Sequence, residues 1–325
     1  MNINIAQINV DTFWDSGVHS KVPPSDRKDG EELEEYLSRF LSSKSDFVIK
    51  KVKEVFDNGK PDGDYLFVTL PEFFWNAPWD ALRNSSELGE LVDFYMSNLS
   101  KTINDIMINF APDDFGKIVL LAGSAGLPVA IDGKKYHESF NYLLTANNWR
   151  KNPEGEVELS MWPKRTTSSV DYGVSMNARY VDDVACYTFG LGKAGTIVVT
   201  WINKSVAEHN AITGYGPVFD NSFIPELPFS INLCLDYNEA SSETRKDELD
   251  STQSKIDFLI ACGMNIDFNK QYSPGVLFSC RNDGNSLDTP SKTEVYSVDD
   301  GKIKQSQSPL KVIGDDIFLW RLSVI

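Results

Sequence analysis

Apolar side chains recur along the chain with two different periods, and these periods predict both strands and helices. Ile3–Val10 alternates apolar and polar residues, which is typical of a strand. Glu31–Asp57 repeats apolar residues at helical spacing, and Ser85–Phe110 is predicted to be helical with Ser85 or Ser86 as its N-cap. Further apolar segments predict buried strands: Tyr65–Leu70, Lys117–Ala122, Ser139–Thr145, Glu158–Trp162, Thr196–Ile202, Phe229–Leu235, Ile256–Ala261, Val276–Cys280 and Ile317–Val324.

The remaining segments complete a mixed order of elements. Ser241–Lys255 is charged and free of breakers, which predicts a helix, and Glu294–Val298 with Lys302–Gln305 predicts a hairpin. Arg165–Gly195 is predicted to form long loops around short elements. Because no change of composition marks a linker, we expect one α/β domain over residues 1–325, with helices covering sheets.

Composition and charge exclude several classes of protein and partner, but they do not identify the function. The 325 residues are 41% hydrophobic and 24% charged, which excludes a collagen, a coiled coil and a mainly disordered chain. The 31 basic and 47 acidic residues give a net charge of −16, and this charge repels phosphate groups. We therefore expect neither nucleic acid nor an anionic membrane as the main partner.

Targeting signals and metal-binding patterns are missing from the sequence. No run of about 18 apolar residues predicts a membrane span, and the start of the chain lacks the pattern of a secretory signal, so a cytoplasmic protein is expected. The four cysteines are widely spaced without a C-x-x-C pattern, and the three histidines are scattered. We expect free thiols, no metal site and no cofactor.

Three apolar strands end in a side chain that is capable of chemistry. LFVTLPEFFW places Glu72 after a strand, LSMWPKR places Lys164 there, and FSINLCLDYN places Cys234 there. Each residue alone has an ordinary explanation, since a Glu after Pro is commonly solvated, a Lys lies at the surface and a strand Cys packs in the core. The three together, in this order, are more informative.

The ordered set resembles the carbon–nitrogen hydrolase (nitrilase/amidase) superfamily. Its motifs correspond to PEFF at 71–74, PKR at 163–165 and CLD at 234–236, and the segments Leu120–Gly126 and Ser139–Leu143 resemble two further strands of that family. No single motif is specific, but the similarity extends in order along nearly the whole chain. The resemblance implies a four-layer α-β-β-α sandwich that associates at least as a homodimer.

The resemblance also implies a mechanism. Cys234 would be the nucleophile, Glu72 the general base and acid, and Lys164 a fixed cation that favours the thiolate, while the backbone N–H of Leu235 would donate to the oxyanion. A small amide or nitrile would form a covalent enzyme intermediate, which water then releases as a carboxylate. Neither a metal nor an organic cofactor is implied.

Two departures from the family pattern concern the surroundings of these residues. The family often has a second Glu roughly ten residues after the Lys, whereas here Asp171 is the nearest carboxylate, and the residues after Asp236 lack the usual proline. The residues expected to line the substrate pocket follow from the motifs and from the loop before Cys234: Phe74, Trp75, Asp171, His209, Asp236 and Tyr237.

Several alternatives stay open at this point. Ala122–Gly126 nearly matches the G-x-S-x-G turn of serine hydrolases, and Gly190–Gly195 matches G-x-G-x-x-G but is followed by a strand instead of a helix. Within the resemblance, the pattern Cys-x-Asp favours an amidase. A nitrilase, an N-acyltransferase and a non-catalytic binding protein that retains the site are the other candidates.

Overall fold

The computed structural model describes residues 1–14, 17–18, 22, 26–203, 224–239, 253–285 and 293–324. The helices in these ranges are α1 (Leu33–Asp57), α2 (Ser86–Met107), α3 (Pro112–Phe115) and α4 (Asp236–Glu239), with short 3-10 turns at Trp79–Ala81 and Gly192–Ala194. The strands in the first part of the chain are β1 (Asn2–Ile8), β2 (Phe13–Trp14), β3 (Gly17–Val18), β4 (Tyr65–Thr69), β5 (Ile118–Ala130), β6 (His137–Lys151), β7 (Val157–Pro163), β8 (Asn177–Val181), β9 (Val184–Gly190) and β10 (Thr196–Thr200). The later strands are β11 (Phe229–Leu233), β12 (Ile256–Ala261), β13 (Phe278–Asp283), β14 (Thr293–Asp299), β15 (Lys302–Ser306), β16 (Lys311–Ile313) and β17 (Ile317–Ser323).

The strands form two main sheets. The larger sheet has the order β16-β17-β1-β4-β5-β6-β10-β9-β8, and β7 pairs with β6. The smaller sheet has the order β11-β12-β13-β14-β15. The β1–β4, β4–β5, β11–β12 and β12–β13 pairs are parallel, so the residues that follow β4 and those that follow β11 lie at carboxyl ends of parallel strands.

Alternate residues of the large sheet face two different cores. Ile5 and Phe67 point to the small sheet, where the Phe67 ring lies 5.3 Å from the Phe229 ring. Val68 and Leu120, on the other face, pack in the core that α1 and α2 also line. The described residues therefore form three layers in the order helices, large sheet, small sheet, and the fold is a mixed α/β fold as predicted.

The fourth layer of the expected sandwich would cover the outer face of the small sheet. The helix predicted at Ser241–Lys255 would belong there, but residues 240–252 lie outside the described residues, and residues 253–255 are not helical. The described side chains on that face form a third core, which includes Tyr237, Leu259 and Tyr272.

The two long helices form where the apolar period predicts them. One face of α1 is buried over its whole length: Leu33, Tyr36, Leu37, Phe40, Leu41, Lys44, Ser45, Val48, Val52 and Val55. In α2 the N-cap is Ser85, as predicted, but its hydroxyl makes no capping hydrogen bond. The side chain of Asn84 caps instead, and accepts hydrogen bonds from the N–H groups of Ser86 and Glu87 at 2.9 and 3.3 Å. None of the described helices is both long and apolar enough to cross a membrane.

The strand predictions are confirmed in position, although several strands are longer. β5 does not end at Gly123 but continues to Ala130, with an irregular pairing to β6 between Leu121 and Ser124. Because a glycine is usually taken as a strand end, the sequence pattern did not predict this continuation. β8, β9 and β16 were not predicted individually, and β8 and β16 are short and largely exposed.

Candidate active site

Glu72 and Lys164 form an ion pair that is wholly buried at one end of the sandwich. The ammonium Nζ of Lys164 lies 3.0 Å from Oε1 of Glu72, and neither side chain reaches solvent. Asn141, on β6, donates a hydrogen bond from Nδ2 to the same carboxylate oxygen at 2.9 Å. A buried ion pair is costly unless its charges are paired and hydrogen-bonded, so this arrangement holds both groups in one geometry.

Asp171 supplies a second carboxylate to the same ammonium. Its Oδ1 lies 2.7 Å from Nζ of Lys164, and its Oδ2 accepts the N–H of Ser168 at 3.0 Å. Asp171 is buried as well, so it is a partner of Lys164 and not an open pocket residue as expected from the sequence. It occupies the role that the resemblance gives to a second Glu, with a shorter side chain carried by a nearby loop.

The turn after β4 fixes the direction of Glu72. Phe73 has φ of +61°, a left-handed conformation that costs a non-glycine residue about 1–2 kcal/mol. The N–H of Phe73 donates to Oγ of Ser124 at 3.1 Å, which holds this turn in place. Close packing explains the neighbouring glycines, because a Cβ on Gly123 would lie 2.6 Å from the Pro71 carbonyl oxygen and one on Gly126 would lie 2.9 Å from the Phe73 ring.

These contacts give the rival motifs a structural role. Ser124 is buried and its hydroxyl accepts from Phe73, so the segment Ala122–Gly126 is a support for the Glu72 turn and not a nucleophile turn. Gly190–Gly195 connects β9 to β10 through a short 3-10 turn, and it does not open a helix as a dinucleotide motif requires. Among the described residues, no group of three or more His, Cys, Asp or Glu side chains is arranged to hold a metal ion.

Cys234 lies on a tight turn at the carboxyl end of β11. Its N–H donates to the Ile260 carbonyl at 3.0 Å, and the chain then leaves the strand with φ of +45° at Cys234. Such strained conformations are concentrated at functional sites. The sulfur lies 3.8 Å from the carbonyl oxygen of Cys262, which follows the neighbouring strand β12. Among the described residues, none accepts a hydrogen bond from the N–H of Leu235.

Asp236 ties the turn of Cys234 to the strand end of Lys164. Its two carboxylate oxygens accept the backbone N–H groups of Arg165 and Thr166 at 2.9 and 3.0 Å. Both oxygens accept these hydrogen bonds and the side chain is buried, and a contact of Asp236 with a substrate stays a prediction. Its position holds the Cys234 turn and the Lys164 loop relative to each other.

The pKa values show how burial and charge act on these groups. Burial raises the pKa of Glu72 to about 7, with Lys164 and Asn141 opposing the rise and Asp171 adding to it. Burial also raises the pKa of Asp171 above its ordinary value. For Lys164, burial lowers the pKa, but the nearby charges of Asp171, Glu72 and Cys234 outweigh this effect and the pKa is raised well above its usual value.

The pKa of Cys234 is raised, whereas the resemblance implied that Lys164 would favour the thiolate. Burial and then the charge of Glu72 raise the pKa of Cys234 well above that of a free thiol, although Lys164 lowers it. Lys164 alone therefore does not hold a thiolate in the resting site. Of the groups whose charge acts on Cys234, Glu72 has a pKa of about 7.

The other residues predicted for the pocket are placed elsewhere. Phe74 and Trp75 pack in the core beneath α1 and α2, where the indole N–H of Trp75 donates to the Ala122 carbonyl at 2.6 Å. The Tyr237 hydroxyl pairs with that of Tyr272 at 2.6 Å on the outer face of the small sheet. Phe74 and Trp75 therefore lie in the helix-covered core, whereas Tyr237 shares the third core with Cys234, and its contact with a substrate stays a prediction. His209 lies outside the described residues.

Two polar residues of the site were not identified from the sequence. Asn141 bonds Glu72, and Asn203 accepts from the Ser139 N–H at 2.8 Å and donates to the Lys164 carbonyl at 3.3 Å. Asn141 lies in Ser139–Leu143, one of the segments that resemble the family, so the sequence did contain a signal for this residue. Asn203 follows β10 far along the chain, and only the fold brings it to Lys164.

No family model matches the sequence. No curated protein matches it. Solved structures do show similarity: an amidase from Nesterenkonia sp. is 11% identical, with 98% of this chain and 90% of that chain covered at a TM-score of 0.40.

Two other solved structures illustrate the range of this similarity. A carbon–nitrogen hydrolase from Helicobacter pylori is 8% identical, with 99% of this chain and 90% of that chain covered at a TM-score of 0.45. A glutamine-dependent NAD+ synthetase from Acinetobacter baumannii is 10% identical, with 99% of this chain but 46% of that chain covered at a TM-score of 0.44. Because the identities are this low, the function is inferred below from the side chains of this chain.

Proposed function

We propose that the protein is a carbon–nitrogen hydrolase that cleaves the amide bond of a small molecule through Cys234. The observation that supports this most directly is the buried group of Glu72, Lys164 and Asp171, whose charges act on the pKa of Cys234. A core that needed only packing would place apolar side chains there, since burying three charged groups is costly. Their retention next to a thiol on a strained turn is typical of a catalytic site.

Two unpaired atoms fit the chemistry of this proposal. Oε2 of Glu72 is buried, and no hydrogen-bond partner for it occurs among the described residues, so this oxygen can take a proton. Lys164 uses two of its three N–H groups on Glu72 and Asp171, which leaves one donor. That donor and the N–H of Leu235 would stabilise the oxyanion that develops when sulfur attacks a carbonyl.

The acylation step follows from these positions. Glu72, as a carboxylate, accepts the thiol proton of Cys234, and the sulfur forms a bond to the carbonyl carbon of the substrate. The tetrahedral oxyanion collapses as Glu72 returns the proton to the leaving nitrogen, so the C–N bond breaks and ammonia or an amine departs. The acyl group remains on Cys234 as a thioester.

The deacylation step uses the same carboxylate a second time. Glu72 takes a proton from water, and the resulting hydroxide attacks the thioester carbonyl. When the intermediate collapses, the sulfur leaves and recovers the proton from Glu72, and the product is a carboxylic acid. One group acting alternately as base and acid requires a pKa near the working pH, which the value of about 7 for Glu72 meets.

The proposal is tested by intact-mass measurement of the protein after exposure to a mixed set of small amides and nitriles. A thioester on Cys234, located by peptide mapping, would identify the acyl group directly. The proposal is contradicted if no amide or nitrile leaves an adduct on Cys234 and hydroxylamine traps no acyl group.

Matched amide and nitrile pairs with the same side chain separate the two main activities. We expect kcat/KM to favour the amide, because Lys164 and the Leu235 N–H are positioned to stabilise charge on oxygen, whereas a nitrile develops charge on nitrogen. If kcat/KM favours the nitrile by tenfold, a difference of about 1.4 kcal/mol in transition-state binding, the amide assignment is wrong even with Cys234 as the nucleophile.

The pH dependence of thiol reactivity gives a further prediction. Alkylation of Cys234 by iodoacetamide should increase between pH 6 and pH 8 with a midpoint near 7, because only the deprotonated form of Glu72 accepts the thiol proton. Asn141→Ala removes a hydrogen bond that lowers the pKa of Glu72, so the midpoint should move to higher pH. Asp171→Asn removes a charge that raises this pKa, so the midpoint should move to lower pH.

The opposite direction of these two shifts serves as the control. A general loosening of the site would move both midpoints in the same direction. Equal shifts, or a profile without a midpoint between pH 6 and pH 8, would show that Glu72 is not the group that activates Cys234.

A further inference from the structure

A small apolar cluster adjoins the proposed catalytic residues. It consists of Phe13, Phe73, Val170 and Cys262, and we call it the apolar collar. Three of its members are buried and Val170 is half-buried. The collar is separate from the two cores that flank the large sheet and from the third core, which contains Cys234. Its members come from four different segments, so the fold and not local sequence brings them together.

Two members of the collar contact the catalytic groups closely. Phe73 directly follows Glu72, and its ring centroid lies 5.6 Å from Nζ of Lys164. Cys262 follows β12, and its carbonyl oxygen lies 3.8 Å from the sulfur of Cys234. Burial, and then the charges of Glu72 and Cys234, raise the pKa of the Cys262 thiol well above its ordinary value.

The other two members are held at the same place by backbone hydrogen bonds. Phe13 follows β1, and its N–H donates to the Gly284 carbonyl at 3.2 Å, beyond the end of β13. Val170 directly precedes Asp171, and its carbonyl accepts the N–H of Gly173 at 3.2 Å in the turn that presents Asp171 to Lys164. Two of the four collar segments therefore adjoin the proposed catalytic groups directly, since Phe73 follows Glu72 and Val170 precedes Asp171.

Among the described residues, two cations near the collar, Lys164 and Arg281, are paired with carboxylates. Lys164 contacts Glu72 and Asp171. Arg281 contacts Asp283 at 2.6 Å and Glu294 at 2.9 Å. The group of Lys164 with its two carboxylates carries one net negative charge when Glu72 is ionised. A second carboxylate brought in by a substrate would meet this negative charge and an apolar surface.

We propose that the apolar collar holds the acyl side chain of the substrate, so that the site selects amides with an uncharged, apolar acyl group and rejects amides that carry a carboxylate. This inference rests on the proposed function and names the substrate class of the same site. Its physical basis is that burying a charge without a partner is far more costly than burying a methyl group.

An isosteric pair of amides tests the inference. In 4-methylpentanamide an isopropyl group takes the place of the carboxylate of succinamate, so the two differ in charge but little in shape. We expect kcat/KM for ammonia release to favour 4-methylpentanamide by at least about 100-fold, because the carboxylate loses its hydration without gaining a cation. Equal values, or a preference for succinamate, would overturn the inference.

A charge placed in the collar should alter this preference. Val170→Lys adds a cation beside the acyl group and is expected to lower the ratio of the two kcat/KM values by at least about tenfold. Val174→Lys is the matched control, because Val174 lies on the same segment but is 75% exposed, and it should leave the ratio unchanged. An unchanged ratio in Val170→Lys would exclude Val170 from the acyl site.

The ratio of the two kcat/KM values does not change when a variant loses activity towards both substrates equally. A second variant tests whether misfolding explains the effect. Val170→Ser keeps a small side chain, and it should weaken the preference for the apolar amide severalfold while the melting temperature stays near that of the unaltered protein.

Failure of the inference can be distinguished from failure of the proposed function. Acylation of Cys234 by succinamate would overturn only the inference, whereas absence of acylation by every amide would overturn the proposed function as well.

Discussion

Replacing Cys234 with alanine is expected to abolish amide turnover while the protein remains folded. The sulfur is the proposed nucleophile, and removal of a nucleophile in a comparable covalent hydrolase costs roughly a million-fold in kcat. Folding should survive, because alanine occupies less space than cysteine and adds no further strain at the φ of +45° that Cys234 already adopts. Ammonia release and the thermal melting temperature are the two measurements.

Cys186 provides the matched control for this variant. It is a buried free cysteine on β9, in the large sheet, and it makes no contact with Glu72 or Lys164 among those that the structure gives. Cys186→Ala should therefore retain most of the activity. Full turnover by Cys234→Ala would exclude the thioester mechanism, whatever the other residues contribute.

The architecture followed largely from the periodicity of apolar residues. Ile256–Ala261 is a strand with the predicted bounds, and α1 begins within two residues of its predicted start. These elements could be predicted because both are buried on the faces that the pattern identifies. β5 was predicted too short, since its continuation past Gly123 depends on pairing with β6 and not on local sequence.

The site could be predicted only where a residue lies at or shortly after the end of a strand. Glu72 and Lys164, which were chosen by that rule and by the family resemblance, are in direct contact in the structure. The pocket could not be predicted in the same way. Phe74 points to the helix-covered core because the turn at Phe73 sends successive side chains to different faces, and this turn is not visible in the sequence.

Contacts between distant segments account for most of what the sequence did not indicate. Asp236 looked like a pocket residue because it lies two residues after Cys234, yet it bonds the backbone at residues 165–166. Phe13 and Cys262 were not selected at all, because neither lies in a recognisable motif. Their proximity arises where β1 and the parallel strands of the small sheet end together.

Glu72→Gln should lower kcat by about 10⁴-fold, close to the upper range for the loss of a general acid–base group. Gln has nearly the same shape, and its side-chain oxygen can still accept hydrogen bonds from Asn141 and Lys164, so the packing of the site is retained. Its amide cannot take a proton from Cys234. Glu90→Gln, an exposed residue of α2, is the matched control and should leave kcat unchanged.

Lys164→Ala should reduce kcat by a similar factor. The reactivity of Cys234 shows whether this loss comes from an action on the sulfur or from a structural change. Without the ammonium, burial raises the pKa of Glu72 further, and the thiolate loses the one cation that lowers the pKa of Cys234. Alkylation of Cys234 by iodoacetamide at pH 7 should therefore slow at least about tenfold in Lys164→Ala and in Glu72→Gln alike, because the two residues act as one unit on the thiol. An alkylation rate that stays unchanged in both variants would show that neither residue acts on the sulfur, and the losses in turnover would then have a structural cause.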